Sequence, residues 1–102
     1  MVLLGQTDDA RAIPLLRRAV SSPNFLIAAQ ASEALAQLQD EGAVPLIADA
    51  ASRGPASAAK MIAEPLGYFK SSEAQAALDK YVPKERAQAV RERARLGKLP
   101  LP

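Results

Sequence analysis

The sequence predicts an all-α fold, a short stack of helical hairpins with about five main helices. Three observations carry this. First, a shift of 31 residues places "LGQTDDARAIPLL" (4–16) on "LAQLQDEGAVPLI" (35–47), so that Leu4 meets Leu35, Gln6 meets Gln37, Asp9 meets Asp40 and Ile13-Pro14-Leu15 meets Val44-Pro45-Leu46. A further shift brings in "LGYFKSSEAQAAL" (66–78), where Leu66, Gly67, Ala74 and Leu78 keep their places and Ala76 replaces the proline. A fixed period of about 30 residues is the signature of a helical repeat array. Second, apolar residues make up 49% of the chain but aromatics only 4%, which fits helices packed closely through Ala, Leu, Ile and Val. Third, Pro and Gly fall at regular breaks between the apolar runs.

The first helix spans Ala10 to Val20, with apolar residues at 13, 16 and 20 and a flank at 12, 15 and 19. Pro14 lies inside this run. A proline in a helix interior costs about 3 kcal/mol, but in the first turns few backbone donors are lost. Its recurrence as Pro45 places both at the start of the first helix of a repeat, with Asp8 or Asp9, and Asp40, as upstream N-caps. "SSPN" breaks the chain, and Pro23 is placed to start a helix from Phe25 to Leu38 with Ala28, Ala31, Leu35 and Leu38 on one stripe. Glu41 to Ser52 follows, then the turn "RGP", and Pro55 opens a helix through about Phe69 that Pro65 bends. Ser72 to Val82 begins with a Ser72…Gln75 capping box. Pro83 starts the last helix, 84–96, and Gly97 stops it, leaving "KLPLP" as a tail. Matching apolar positions predict Leu16, Leu35, Leu46, Ile47, Leu66 and Leu78 as core.

The "A-x-P-L-hydrophobic" core (Ala12, Pro14, Leu15, Leu16; Ala43, Pro45, Leu46, Ile47) and the Ala-rich second helix resemble the HEAT-like repeats of the phycobilisome-lyase type. The resemblance spans roughly residues 4 to 97 and implies a short right-handed α-solenoid of HEAT-like hairpins. On that reading residues 1–102 form one domain: a partial N-terminal repeat, two repeats, and a basic capping helix at 84–96. Members of this superfamily include scaffolds, bilin lyases with their chaperone-like relatives, and helical DNA-binding modules. The family's "V-R" opening of the second helix is absent from "NFLIAAQ" and "PASAAKM" and occurs only at Val90-Arg91, which leaves the register of the third repeat open.

Little supports an enzyme. The chain has no His and no Cys, so the common nucleophile–base pairs, zinc sites built from His and Cys, and disulfides are excluded within it. No glycine-rich phosphate loop appears, and no catalytic, cofactor or metal site is expected. Asp8, Asp9, Asp40 and Glu41 fall at equivalent helix starts and are read as caps complementing helix dipoles. No apolar run is long enough to span a membrane, and the expected location is cytoplasmic.

Two surfaces are candidates for binding a partner, expected to be a protein. Gln30, Glu33 and Gln37 step at i, i+3, i+7 along the second helix, and Met61, Glu64 and Tyr68 repeat the spacing one period later. In such solenoids the second helices line the concave face. The last helix supplies the other. Lys84, Gln88, Arg91, Arg95 and Lys98 form one basic stripe, and Arg86 and Arg93 flank the other side of an apolar seam, Ala87, Val90 and Ala94. Residues 83–102 carry six Lys/Arg against two Glu, a charge of +4, whereas residues 1–82 carry seven against nine, −2. Lys84, Arg91, Arg95 and Lys98 are thus candidate anion contacts, with weak nucleic-acid binding the runner-up function. No aromatic platform accompanies them. The N-terminal end is a third expectation: with no complete hairpin before it, the first helix would partly expose Ile13, Leu16 and Val20, which favours a homodimer or a lost upstream repeat, unless residues 1–7 fold back as a cap.

Overall fold

The computed structural model describes residues 10–96. It contains six α-helices: α1 (Ile13–Val20), α2 (Phe25–Gln37), α3 (Val44–Arg53), α4 (Ala56–Ala63), α5 (Ser72–Tyr81) and α6 (Lys84–Arg95). Short 3-10 segments lead into α1 (Ala10–Ala12) and α3 (Glu41–Ala43), and a third continues α4 (Glu64–Tyr68). There is no strand among the described residues. The fold is a short all-α stack of hairpins, and the Pro/Gly punctuation marks all six helices, one more than the expected five.

Pro14 and Pro45 each fall in the first turn of their helix, directly after the 3-10 lead-in. There the missing N–H is one of the donors a helix leaves unpaired anyway. Pro65 acts differently. It stands at the start of the 3-10 segment in which α4 ends, so the α-helical ladder stops at Ala63 instead of bending through to Phe69.

The caps depart from expectation in three places. Asn24, not Pro23, starts α2: its Oδ1 accepts from the N–H of Leu26 at 3.0 Å and of Ile27 at 3.4 Å. Ser71, not Ser72, caps α5 by accepting from Ala74 N–H, and Gln75 Nε2 donates to the Phe69 carbonyl instead of closing a capping box. Asp40 makes no side-chain cap. Its carboxylate takes both Nε and a terminal nitrogen of Arg17 at 2.7 Å, a two-point clamp from α1 to the loop before α3.

The core runs through the stack: Leu16 and Val20 of α1, Leu35 of α2, Ile47 of α3, Ile62 of α4, then Leu66, Phe69 and Leu78. Leu46, expected in the core, is 36% exposed. Val44 and Ile47, three apart, already fill the inward face, and a residue next to Ile47 is turned about 100° away. Leu15 repeats this one period earlier at 51% exposure, beside a fully buried Leu16. The exposure expected of the first helix is not found. Leu16 and Val20 are fully buried and Ile13 half-buried, so the apolar side of α1 is covered and offers no dimer surface through those residues.

Helices pack in the order a repeat stack requires: α1 on α2, α3 on α4, α2 on α4 and α3 on α5. Polar contacts tie neighbouring turns together. Gln39 takes a left-handed backbone, φ 55°, that closes the C-terminus of α2. Its N–H bonds Ala36 O and the following Asp40 N–H bonds Leu35 O, a Schellman pair with Gln where Gly is usual. The Gln39 amide then donates to Ala36 O and to Tyr68 O of the next repeat. Glu41 accepts from the Lys70 N–H in the same way.

Candidate functional site

The last helix breaks the pattern. It seats mainly on the 3-10 segment Glu64–Tyr68 and only lightly on α5. Gly67 permits this. A Cβ there would stand 2.5 Å from Val90 Cγ1 and 3.3 Å from Leu78 Cδ2. At the matching place of the preceding repeat stands a buried alanine, Ala36.

This seating forms a half-open cavity of about 150 Å³ between the second-helix stripe and α6. From the stripe come Glu33, Glu64 and Tyr68; from α6 come Arg86 and Arg93; Pro65, Ala89 and Val90 supply apolar wall. Arg86 Nε donates to Glu64 Oε1 in an ion pair. That hydrogen bond first, and the charge of Glu64 second, raise the Arg86 pKa above its ordinary value. Arg93 Nε donates to the Tyr68 hydroxyl at 3.3 Å. Glu33 is half-buried, and no hydrogen bond or ion pair reaches its carboxyl among the described residues. Burial, and then the like charge of Glu64, push the Glu33 carboxyl above the usual carboxylate range.

The six stripe residues therefore divide. Glu33, Glu64 and Tyr68 meet at the cavity, while Gln30, Gln37 and Met61 do not line it. Met61 is 43% exposed and Gln30 and Gln37 are half-buried. The side of α6 that faces the cavity is not the one that carries the candidate anion contacts. Arg86 and Arg93, which merely flank the seam in sequence, face the cavity; their spacing with Ala89 and Val90 (i, i+3, i+4, i+7) was the signal for a second stripe.

The candidate anion contacts are largely engaged within the chain. Arg91 donates to Gln75 Oε1 at 2.6 Å and to the Gln75 carbonyl at 3.2 Å, and pairs with Asp79 at 2.8 Å. Arg95 pairs with Glu92 one turn earlier on the same helix. Lys84 is exposed and shares a shallow groove with Asp79, Gln88 and Arg91. Lys98 lies outside the described residues, as do Asp8 and Asp9. With Asp40 and Glu41 committed to Arg17 and to the Lys70 N–H, no group of three or more potential ligands for a metal ion occurs among the described residues. Nor is any helix among them long and apolar enough to cross a membrane.

The sequence profile of HEAT repeats matches residues 2–64, more than half of the chain. The chain belongs to the HEAT-repeat family. The match covers the first two periods of this HEAT protein and stops at Glu64, where α4 passes into its 3-10 tail. No curated protein and no solved structure matches it. HEAT repeats generally mediate protein interaction or scaffolding.

Proposed function

We propose that this HEAT-repeat chain is a non-catalytic protein-interaction or scaffold module that meets its partner through the stripe of α2 and α4. The observation that carries this is the pairing of an exposed Met61 with polar Gln30 and Gln37 on the same register as the Glu33/Glu64/Tyr68 cavity. A thioether on an accessible surface adapts to varied partner shapes, and charged groups beside it supply selectivity. The lack of His and Cys supports the non-catalytic part of the reading. A cytoplasmic setting belongs to the same proposal.

The test is affinity capture from source lysate with wild type, Met61→Glu and Lys84→Glu/Arg91→Glu. A partner retained by wild type and the α6 variant but lost from Met61→Glu supports the reading. Loss only from the α6 variant, reversed by added salt and abolished by nuclease, would replace it with nucleic-acid binding. That alternative is the weaker one, because Arg86, Arg91 and Arg95 each already face a carboxylate. The finer phycobilisome-lyase-type reading, an accessory to bilin attachment, would show itself as a change in visible absorbance when a linear tetrapyrrole is added.

A further inference from the structure

We propose that a second half-open cavity, of about 200 Å³ between the turn after α1 and the hairpin of α3 and α4, receives an aromatic side chain of a partner polypeptide, with Arg53 over the face of its ring. The protein-interaction reading supplies the source of the ring, but the place is a separate one: no residue of the Gln30/Met61 stripe lines it. Pro23, Phe25, Ala28, Ala50 and Ile62 give it apolar walls, and among the described residues Arg53 is the one charged side chain that lines it. The size fits. An engineered cavity of about 150 Å³ admits benzene, so a phenyl or phenol ring enters this one without forcing its walls.

The next repeat carries an aromatic ring at the matching position. Ala50 stands three residues after Ile47, and Tyr81 stands three after Leu78, so the two share one register. Tyr81 is half-buried, packs against the core and has Lys80 Nζ at 5.3 Å from its ring centroid. That distance is in the cation–π range. The second repeat has a methyl in place of that ring but keeps a cation, Arg53, beside the space. Charge then selects a neutral aromatic group over an ion. Arg53 Nε pairs with Asp49 at 3.2 Å, an exposed contact one turn apart on α3. Pairing through Nε uses the edge of the guanidinium and leaves its face for a ring. An incoming carboxylate would have to compete with Asp49, and an incoming ammonium would meet Arg53. An aliphatic side chain would fill the space but gain little from the guanidinium face. An aromatic one gains from that face and from the Phe25 ring as well.

NMR titration of the intact chain with N-acetyltyrosine amide, and in parallel with N-acetylleucine amide, tests this. The tyrosine amide should give saturable shifts at Phe25, Ala50 and Arg53 with a Kd on the order of millimolar, as suits so small a ligand. The leucine amide should bind about fivefold more weakly or worse. Ala50→Tyr installs the ring that the third repeat already carries and should abolish the shifts. Arg53→Gln, a surface change that leaves the apolar walls in place, should weaken the tyrosine amide about two- to fivefold and leave the leucine amide unchanged; it keeps the test decisive should Ala50→Tyr not fold. Absence of saturable shifts, undiminished binding by a folded Ala50→Tyr chain or by Arg53→Gln, or leucine amide binding as tight as tyrosine amide would overturn the proposal. If Met61→Glu still abolishes partner capture in that event, the interaction reading survives without it. Tyrosine amide binding in a chain that captures no protein would uphold the ring site and sink the interaction reading instead.

Discussion

The first two repeats and the third are built from the same apolar frame, yet they end differently. Second helices begin at Phe25, Ala56 and Lys84, so the spacing falls from 31 (56 − 25) to 28 (84 − 56). The missing three residues come out of α5. The matching helix of the second repeat, counted from its 3-10 lead-in, runs from Glu41 to Arg53, whereas α5 runs only from Ser72 to Tyr81. Pro83 is the cause. A residue before proline is held out of the helical region, and Val82 is accordingly extended, with φ −118° and ψ 134°. Early exit carries α6 off the line of α4 and onto the 3-10 tail. A second helix that begins three residues early caps the stack instead of extending it, and this cap, not the repeat, makes the Glu33/Glu64/Tyr68 cavity.

The largest effect expected should not distinguish the regions. Leu35→Ala in the second repeat helix and Leu78→Ala in α5 each remove a fully buried side chain and should each cost about 2–5 kcal/mol in denaturant unfolding. Leu46→Ala, by contrast, should cost about 1 kcal/mol or less. A large loss at Leu46 would return it to the core and break the inferred helical rotation of α3.

Next in size is a difference between the two regions. Gly67→Ala places a methyl against Val90 and should cost about 1–3 kcal/mol as an overpacked contact. In a Val90→Ala background that cost should shrink, since the obstructing methyls are gone; a double-mutant cycle in urea reads the coupling. Equal costs in both backgrounds would mean that α6 does not rest on Gly67.

The turn after α2 gives a somewhat smaller effect. Gln39→Val forces a β-branched side chain into the left-handed region and removes the bond to Tyr68 O. Thermal unfolding should register a loss of about 1–2 kcal/mol. An unchanged midpoint would show that this link between repeats contributes nothing.

The smallest effect is set by pH. The Glu33 pKa is raised in the folded chain, so the folded state holds its proton more tightly than the unfolded one. Its contribution is fully present below the ordinary carboxylate pKa and is lost as pH rises through the raised value. Glu33→Gln should remove that downward step and leave the variant slightly more stable at neutral pH, by less than about 1 kcal/mol given the solvent exposure of the group. Melting temperatures of both chains across the acid range would show it, and parallel curves would contradict it.

What was legible in the sequence follows from what repeats. Helix identity, the role of Pro14 and Pro45, and the burial of Leu16, Leu35, Ile47, Leu66 and Leu78 are properties of a pattern seen more than once. The stripe of Glu33, Glu64 and Tyr68 was legible for the same reason. Leu46 lies outside the core because Ile47 beside it takes the inward place, and spacing alone does not choose between the two. The cap chemistry was misassigned because Asp40 had a distant competitor, Arg17, that no local pattern reveals. Arg86 and Arg93 were passed over because their partners depend on where α6 lands. The reason lies in the early position of Pro83 and in Gly67 where the preceding repeat has Ala36, and a pattern read for what repeats gives such departures no weight.

The seat of α6 is therefore the point on which the account turns, and nuclear Overhauser contacts from the Val90 methyls test it most directly. A repeat of uniform 31-residue period would carry Val90 to the place of Ala59 on α4. Strong contacts are expected from Val90 to the Gly67 α-protons and to the Leu78 methyls. Contacts in the pattern of Ala59, with none to Gly67, would restore a regular third hairpin and remove the cavity with it.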